Sequence, residues 1–183
     1  MMFFRQINKE LKVSLLISHD AQEVFELVDA NRGYLEEWMP WVSATCSVED
    51  TRVFIASTLR DFQDEKVVSE AIFYQNKIVG IAGLYDINKA QGGACVGYWL
   101  AKDYTHRGIM TEVVNDLLAL GFDYYGLEQV YIECSTLNVR SETLAKRLGF
   151  KKVTTLHNAS FMNGKSLNHY LYALTKRDFK GLL

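Results

Sequence analysis

Tyr98-Trp99-Leu100-Ala101-Lys102-Asp103-Tyr104-Thr105-His106-Arg107-Gly108-Ile109-Met110-Thr111-Glu112 changes its period partway along. Residues Ala94 to Ala101 are apolar, aromatic or glycine, as a buried strand requires. Lys102 to Arg107 are polar, and from Gly108 the spacing is that of a helix. The first N–H groups of a helix have no partner inside it, and the helix dipole adds partial positive charge there. A strand that ends in such a turn offers an anion site, most often for phosphate.

Outward from this turn, the chain reads as one domain over residues 1–183 with a sizeable core. Hydrophobic residues make up 49% and charged residues 23%, an ordinary globular balance. A net charge of −2 argues against direct nucleic-acid binding, which favours basic domains. Cys46, Cys95 and Cys134 form no CxxC pair, which fits reduced thiols. His19, His106, His157 and His169 lack metal-ligand spacing, so no metal is expected. No apolar run is long enough to span a membrane and no secretion signal opens the chain. A cytoplasmic protein without a membrane partner is the expectation.

In chain order, Leu11, Val13, Leu15 and Ile17 predict a strand, and Asp20 with Glu23 a capping box ahead of a helix with Val24, Phe25 and Val28 inward. Asn31-Arg32-Gly33 should end that helix, with an aromatic, irregular stretch after it. Asp50 to Asp64 reads as a second helix with Val53, Phe54, Leu59 and Phe62 inward. Strands follow at Ser69 to Tyr74 and Lys77 to Tyr85, around a Gln75-Asn76 turn. The helix from Gly108 presents Val113, Val114, Leu117 and Leu118 inward and stops near Gly126. A strand at Val130 to Cys134, a helix at Asn138 to Leu148 closed by Gly149, and strands at Lys152 to Phe161 and Ser166 to Thr175 complete the order. Asn163-Gly164 is a strong hairpin signal between the last two. The order β-α-α-β-β-β-α-β-α-β-β implies an α/β fold, a mixed sheet of about seven strands with helices on both faces.

Gly164-Lys165-Ser166 has the ending of a phosphate-binding P-loop, but Ala159 stands where the pattern needs its first Gly, and the stretch lies between strands. The Thr105 to Met110 turn resembles the [QR]-x-x-G-x-[GA] turn of the GNAT N-acetyltransferases, with Gly108 the strict match. Gly97-Tyr98-Trp99-Leu100, Gly108-Ile109-x-Thr111-Glu112, Asn138-x-x-Ser141, Leu148-Gly149-Phe150, Leu35-x-x-Trp38 and the Asn163-Gly164 hairpin extend the resemblance from about Val13 to Tyr172. They resemble the RimL-type branch, which acetylates ribosomal-protein N-termini.

The resemblance implies acetyl-coenzyme A (acetyl-CoA) as cosubstrate and the GNAT acyl-CoA N-acyltransferase fold. It implies that the backbone of Trp99, Leu100 and Ala101 pairs with the pantetheine arm like an added strand. It implies that the amides of Arg107, Gly108, Ile109, Met110 and Thr111 cradle the pyrophosphate, and that Asn138 contacts pantetheine. Asn138 also suits a helix N-cap. His106 is a phosphate donor or a solvated loop histidine, and Arg107 a permanent cation beside the phosphates. Thr105 and Met110 depart from the family pattern, which has Gln or Arg and a small residue there.

The chemistry is attack of a neutral amine on a thioester, which needs a proton for the leaving thiolate and no acyl-enzyme. Ser141 matches the Ser that this branch places near the sulfur. Glu133, late on its strand, is a candidate base or a solvated carboxylate. In related enzymes a Glu can stand in the stretch that aligns with Ser160, and water relays through Glu133, Tyr98 or His157 are open. Trp38, Trp41 and Phe54 are core or pocket wall. Glu36 and Glu37 attract a cationic amine or are solvated. The acceptor implied is a protein N-terminal α-amino group. The alternatives are a small amine of polyamine or aminoglycoside type, or a CoA-binding module without turnover. A homodimer is possible, as family members are often dimers.

Overall fold

The structure, a computed structural model, describes residues 4–162 and 164–180. One eight-stranded mixed sheet organises it, in the order β1-β2-β3-β4-β5-β6-β8-β7. The strands are β1 (Phe4–Gln6), β2 (Leu11–Leu15), β3 (Val68–Tyr74), β4 (Lys77–Asn88), β5 (Gly93–Leu100), β6 (Gln129–Ser135), β7 (Lys151–Met162) and β8 (Lys165–Thr175). The helices are α1 (Ala21–Ala30), α2 (Arg32–Leu35), α3 (Val48–Gln63), α4 (Ile109–Ala119), α5 (Val139–Arg147) and α6 (Lys176–Lys180).

Alternation along the strands splits the apolar residues between the two faces. On one face Ala82, Val96 and Ile132 pack with Val113, Leu117 and Leu118 of α4 and Leu144 of α5. On the other, Ala71, Ile81 and Trp99 pack with Val24 and Val28 of α1 and Ile55 of α3. The expected mixed sheet with helices on both faces is therefore present, one strand larger than expected. The addition is β1, too short to show a period, which pairs with β2 and is fixed by Arg5. Among the described residues no helix is long and apolar enough to cross a membrane.

Several local expectations change. The Asp20 side chain accepts from the Ile17 amide (3.0 Å), and Glu23 accepts from the Ile78 amide of β4 (2.8 Å), so the two close no box on α1. After α1 the chain makes the single turn of α2 where an irregular stretch was expected. α3 starts earlier than expected because Ser47 and Asp50 form its capping box. Thr51, Ile55 and Thr58, which share one face at helical spacing, point inward, while Val53 and Phe54 are exposed.

Other local readings hold. Gln75 and Asn76 both take positive φ (51° and 63°), as a tight right-twisted hairpin needs. α5 closes with the Phe150 amide on the Ala145 carbonyl and the Gly149 amide on Lys146, Gly149 being left-handed. The Gly164-Lys165-Ser166 stretch lies at the β7–β8 hairpin, with Gly164 at φ 74°. Asn163 falls outside the described residues.

Candidate active site

β5 and β6, the parallel pair, are in register only from Gly93 to Cys95 and from Gln129 to Tyr131. Beyond that, β5 follows β4 as far as Leu100, and β6 follows β8 as far as Ser135. The sheet therefore opens into a wedge floored by the ends of both strands. Two cavities, of about 400 Å³ and about 690 Å³, occupy it. They share Trp38, Met39, Tyr98, Trp99, Asn138 and Ser141.

The smaller cavity runs from the wedge to the start of α4. His106 and Gly108 both have left-handed backbone (φ 63° and 79°), on either side of Arg107. Such a succession turns neighbouring N–H groups toward one point, a concavity suited to an anion. The amides of Gly108, Ile109 and Met110 precede any carbonyl that the helix can offer them. A cationic rim surrounds this turn. Arg107 lies over the Tyr104 ring (5.3 Å), Arg140 donates to the Tyr34 hydroxyl (3.0 Å), and Arg147 reaches Thr111 Oγ1 (3.4 Å). The turn itself is anchored: the Lys102 amide donates to Asn31 Oδ1 (2.9 Å), and Thr105 Oγ1 donates to the Lys102 carbonyl (2.7 Å). A long, bent anion bearing phosphates fits a groove with open strand backbone at one end and this turn at the other.

At the junction of the cavities, the Tyr98 hydroxyl and Ser141 Oγ are 2.8 Å apart. Burial pushes the Tyr98 phenol well above its usual range, against the pull of Ser141, so it stays protonated. Burial also raises the Cys134 thiol, with Ser141 opposing. Asn138 caps α5 by accepting the Ser141 amide (3.1 Å), so its N-cap reading holds, and the residue lines both cavities.

The larger cavity is walled by Trp38, Trp41, Phe54 and Trp99, with Trp41 and Trp99 rings 6.1 Å apart. Trp41 and Phe54 form its exposed mouth. Glu37 lines it, whereas Glu36 is drawn to Arg32 (3.8 Å). On its far wall Glu133 Oε1 meets His169 Nδ1 at 2.6 Å, and His169 Nε2 meets Ser160 Oγ at 2.8 Å. A bulge makes the second contact. Between the pairs Leu156–His169 and Ser160–Leu167 the β7 register slips, and Asn158 takes φ 53°. The extra residues re-aim Ser160 at the imidazole.

The structure thus gathers Trp99, Leu100, His106, Arg107, Gly108, Ile109, Met110, Thr111, Asn138 and Ser141 around one cavity, and Glu133 with Ser141 around the other. Ala101 is not brought to either: its amide donates to Val79 (2.8 Å) and its carbonyl accepts from Tyr104 (3.0 Å). The Thr111 amide is likewise bound to the Gly108 carbonyl (2.9 Å) and is not free for an anion. The Met110 side chain packs partly against the core and partly lines the cavity. His157 is exposed in the β7 bulge and lines neither cavity; the histidine of the site is His169. Arg140 and Arg147 were legible as members of the α5 face that carries Ser141 and Leu144, at helical spacing. His169 had no local signal, since Glu133 lies 36 residues away in sequence.

The chain and its fold are similar to known proteins. The acetyltransferase (GNAT) domain family matches residues 11–151. The ribosomal-protein-serine acetyltransferase of Escherichia coli (strain K12) is 23% identical over 168 residues, covering 92% of this chain and 94% of that protein. The structure of the microcin C7 self-immunity acetyltransferase MccE in complex with acetyl-CoA and AMP superposes with a TM-score of 0.87 at 28% identity, covering 92% of this chain and 94% of that one. The structure of RimL, a ribosomal L7/L12 alpha-N-protein acetyltransferase, in complex with coenzyme A has the same fold, with a TM-score of 0.91 at 22% identity over 94% of this chain and 97% of that one.

Proposed function

The chain belongs to the GNAT acetyltransferase family and uses acetyl-CoA, and from that premise we propose that its acceptor is the α-amino group at a protein N-terminus. One observation carries the reading: two cavities meet at Trp38, Met39, Tyr98, Trp99, Asn138 and Ser141. Two substrates can enter from opposite sides and touch at that junction, which is the arrangement for direct transfer in a ternary complex. The smaller cavity has the backbone edge, N–H turn and arginines for acetyl-CoA. The larger takes the amine. Its exposed aromatic mouth and Glu37 suit an extended, cationic chain end. The relative from Escherichia coli is named for a ribosomal-protein serine, which supports the same acceptor class.

Within that frame each side chain has a task. Arg107, Arg140 and Arg147 hold phosphate charge, with the N–H groups of Gly108, Ile109 and Met110. Asn138 orients the arm through its free N–H₂. Ser141 gives a proton to the departing sulfur, and Tyr98, kept neutral by burial, holds that hydroxyl in place. Glu133 belongs to the amine side of the junction.

The test is coenzyme A release measured against a panel of acceptors: peptides with the N-terminal sequences of ribosomal proteins, polyamines, and an aminoglycoside. Peptides should be turned over with the highest kcat/KM. Preference for a polyamine or aminoglycoside would replace the acceptor and leave the family chemistry intact.

A further inference from the structure

We propose that the acceptor carries a second cation, a lysine or arginine side chain within its first few residues, which Asp50 and Glu37 hold beside the rings of Trp41 and Phe54. The proposal rests on the acetyl-transfer reading above and narrows the acceptor class in it. The two cavities that meet at Tyr98 and Ser141 are lined by opposite charges. Among the described residues, the smaller has three arginines, Arg107, Arg140 and Arg147, and no carboxylate. The larger has three carboxylates, Glu37, Asp50 and Glu133, and neither lysine nor arginine. The arginines match phosphates. The carboxylates exceed what one transferred amine needs. That amine must be neutral when it attacks, and each nearby carboxylate favours its charged form. Three carboxylates around one amine would oppose the reaction, whereas a second group on the acceptor that stays charged balances them.

Local geometry places that group at the mouth. Asp50 lies in the first turn of α3 and Phe54 four residues on, so the two are neighbours on the helix surface. The Cys46 amide, the Ser47 amide and the Ser47 hydroxyl all donate to Asp50 Oδ2 (3.0, 2.8 and 2.8 Å), so Oδ1 takes no part in the capping box. Those bonds, the Ser47 hydroxyl first, hold the Asp50 carboxyl below its usual range, and it stays ionised at neutral pH. Trp41 and Phe54 are 39% and 42% exposed and line the cavity. A lysine or arginine stem can lie on such rings while its head reaches a carboxylate. Glu37 is exposed and precedes Trp38, a residue of the junction. Glu133 already holds His169 Nδ1 through Oε1 (2.6 Å), which leaves Glu37 and Asp50 for the second cation. Thr51, next to Asp50, is 3% exposed and lines the same cavity, and its hydroxyl has no hydrogen-bond partner among the described residues. The wall beside Asp50 thus keeps a polar group unsatisfied, which points to a polar ligand there.

The contribution of such a site is modest and salt-dependent. Two exposed carboxylates and two open rings together favour a cationic over a neutral side chain by about tenfold in affinity, and ions in solution screen most of the charge part. Like charge on the acceptor would be disfavoured by the same field. The cavity also carries its own reporter. All three tryptophans of the chain, Trp38, Trp41 and Trp99, line it, so intrinsic fluorescence reads its occupancy without turnover.

The experiment uses hexapeptides that share their N-terminal residue and carry lysine, glutamine or glutamate at the second to fourth positions. With the protein saturated with coenzyme A, tryptophan fluorescence should give a Kd about tenfold lower for the lysine peptide than for the glutamine peptide, and the weakest binding for glutamate. Coenzyme A release should follow the same order, with KM for the peptide carrying the difference and kcat nearly constant. Raising salt from about 0.05 M to about 0.5 M should shrink the preference to about twofold. Glu37→Gln should cut it to about threefold, and Glu37→Gln with Asp50→Asn should abolish it, KM for acetyl-CoA staying nearly unchanged in both. Asparagine keeps an oxygen for the Cys46 and Ser47 amides, so the α3 cap survives the change. Equal Kd for the lysine and glutamate peptides, or a preference that persists in the double variant, overturns the second cation. Peptides that bind in the expected order yet release no coenzyme A overturn the acceptor reading alone and leave the charge preference of the cavity standing. Absence of binding by every peptide overturns both.

Discussion

Two of the chains of three polar side chains on the sheet differ in how they end. In the first, Arg5 of β1 donates to both oxygens of Glu70 of β3 (2.7 and 2.8 Å) and, through Nε, to Asp116 of α4 (2.8 Å). Glu70 is 2% exposed and Arg5 17%. Burial works against the Arg5 guanidinium, yet the two carboxylates outweigh it and raise its pKa further. In the second, Glu133, His169 and Ser160 are linked by bonds of similar length, and the imidazole lines an open cavity. The first chain has a fixed charge at its centre and a carboxylate at each end. The second has an imidazole at its centre, and that ring lines a cavity. Both chains fasten elements together, and the second also forms part of a cavity wall.

The largest effect should come from breaking the closed chain. Arg5→Met strands Glu70 in the core without a partner, which costs about 3–5 kcal/mol. For a chain of this length, that is a fall of about 10–15 °C in Tm. Thermal unfolding checks it. Replacing Arg5, Glu70 and Asp116 together by apolar residues should recover most of the loss, because a buried ion network is only weakly stabilising against a packed apolar one. If Arg5→Met unfolds no earlier than the unsubstituted chain, the two networks do not differ in kind.

Ser141→Ala comes next. It leaves Asn138 in place as the α5 cap, since the cap receives the Ser141 backbone amide and not its hydroxyl. Stability should change little, while kcat falls by about 10²-fold, close to 2.7 kcal/mol of barrier, and calorimetry still finds acetyl-CoA binding. Gly108→Ala follows. A Cβ at Gly108 would meet nothing within 4 Å, so its cost is backbone strain alone. At φ 79° that strain is about 1–2 kcal/mol. Distorting the N–H turn should weaken coenzyme A binding about five- to tenfold in the same calorimetry, with kcat at saturation retained.

How far each network could be read in the sequence follows from its dimensions. Periods report side-chain faces, so the strand at Ala94 to Ala101, the α4 face of Val113, Val114, Leu117 and Leu118, and the turn between them were legible. So were Gly108 and Asn138, which occupy backbone positions with strong residue preferences. Periods do not report where an amide finds its acceptor. Ala101 and Thr111 therefore looked available, although Val79 and Gly108 hold their N–H groups. Both polar chains escape a linear reading for another reason. Arg5 and Glu70 are 65 residues apart and Glu133 and His169 are 36 apart. Their meeting depends on strand order and register, and for Ser160 on a bulge that slips that register.

The smallest effect probes a polar atom that belongs to neither chain. Thr51 of α3 is 3% exposed and lines the acceptor cavity, and among the described residues its hydroxyl finds no hydrogen-bond partner. A buried hydroxyl left unpaired costs about 1–3 kcal/mol, the penalty that both polar chains avoid by pairing every member. Valine has the same shape, and its helix propensity is close to that of threonine. Thr51→Val should therefore raise Tm by about 2–4 °C, the lower end of that cost. The same substitution should raise KM for the acceptor only if the hydroxyl receives a polar group of the incoming chain end, and leave KM for acetyl-CoA unchanged. A fall in Tm would mean that the hydroxyl is already paired in the free protein. Thr51 would then be a closed element like Arg5.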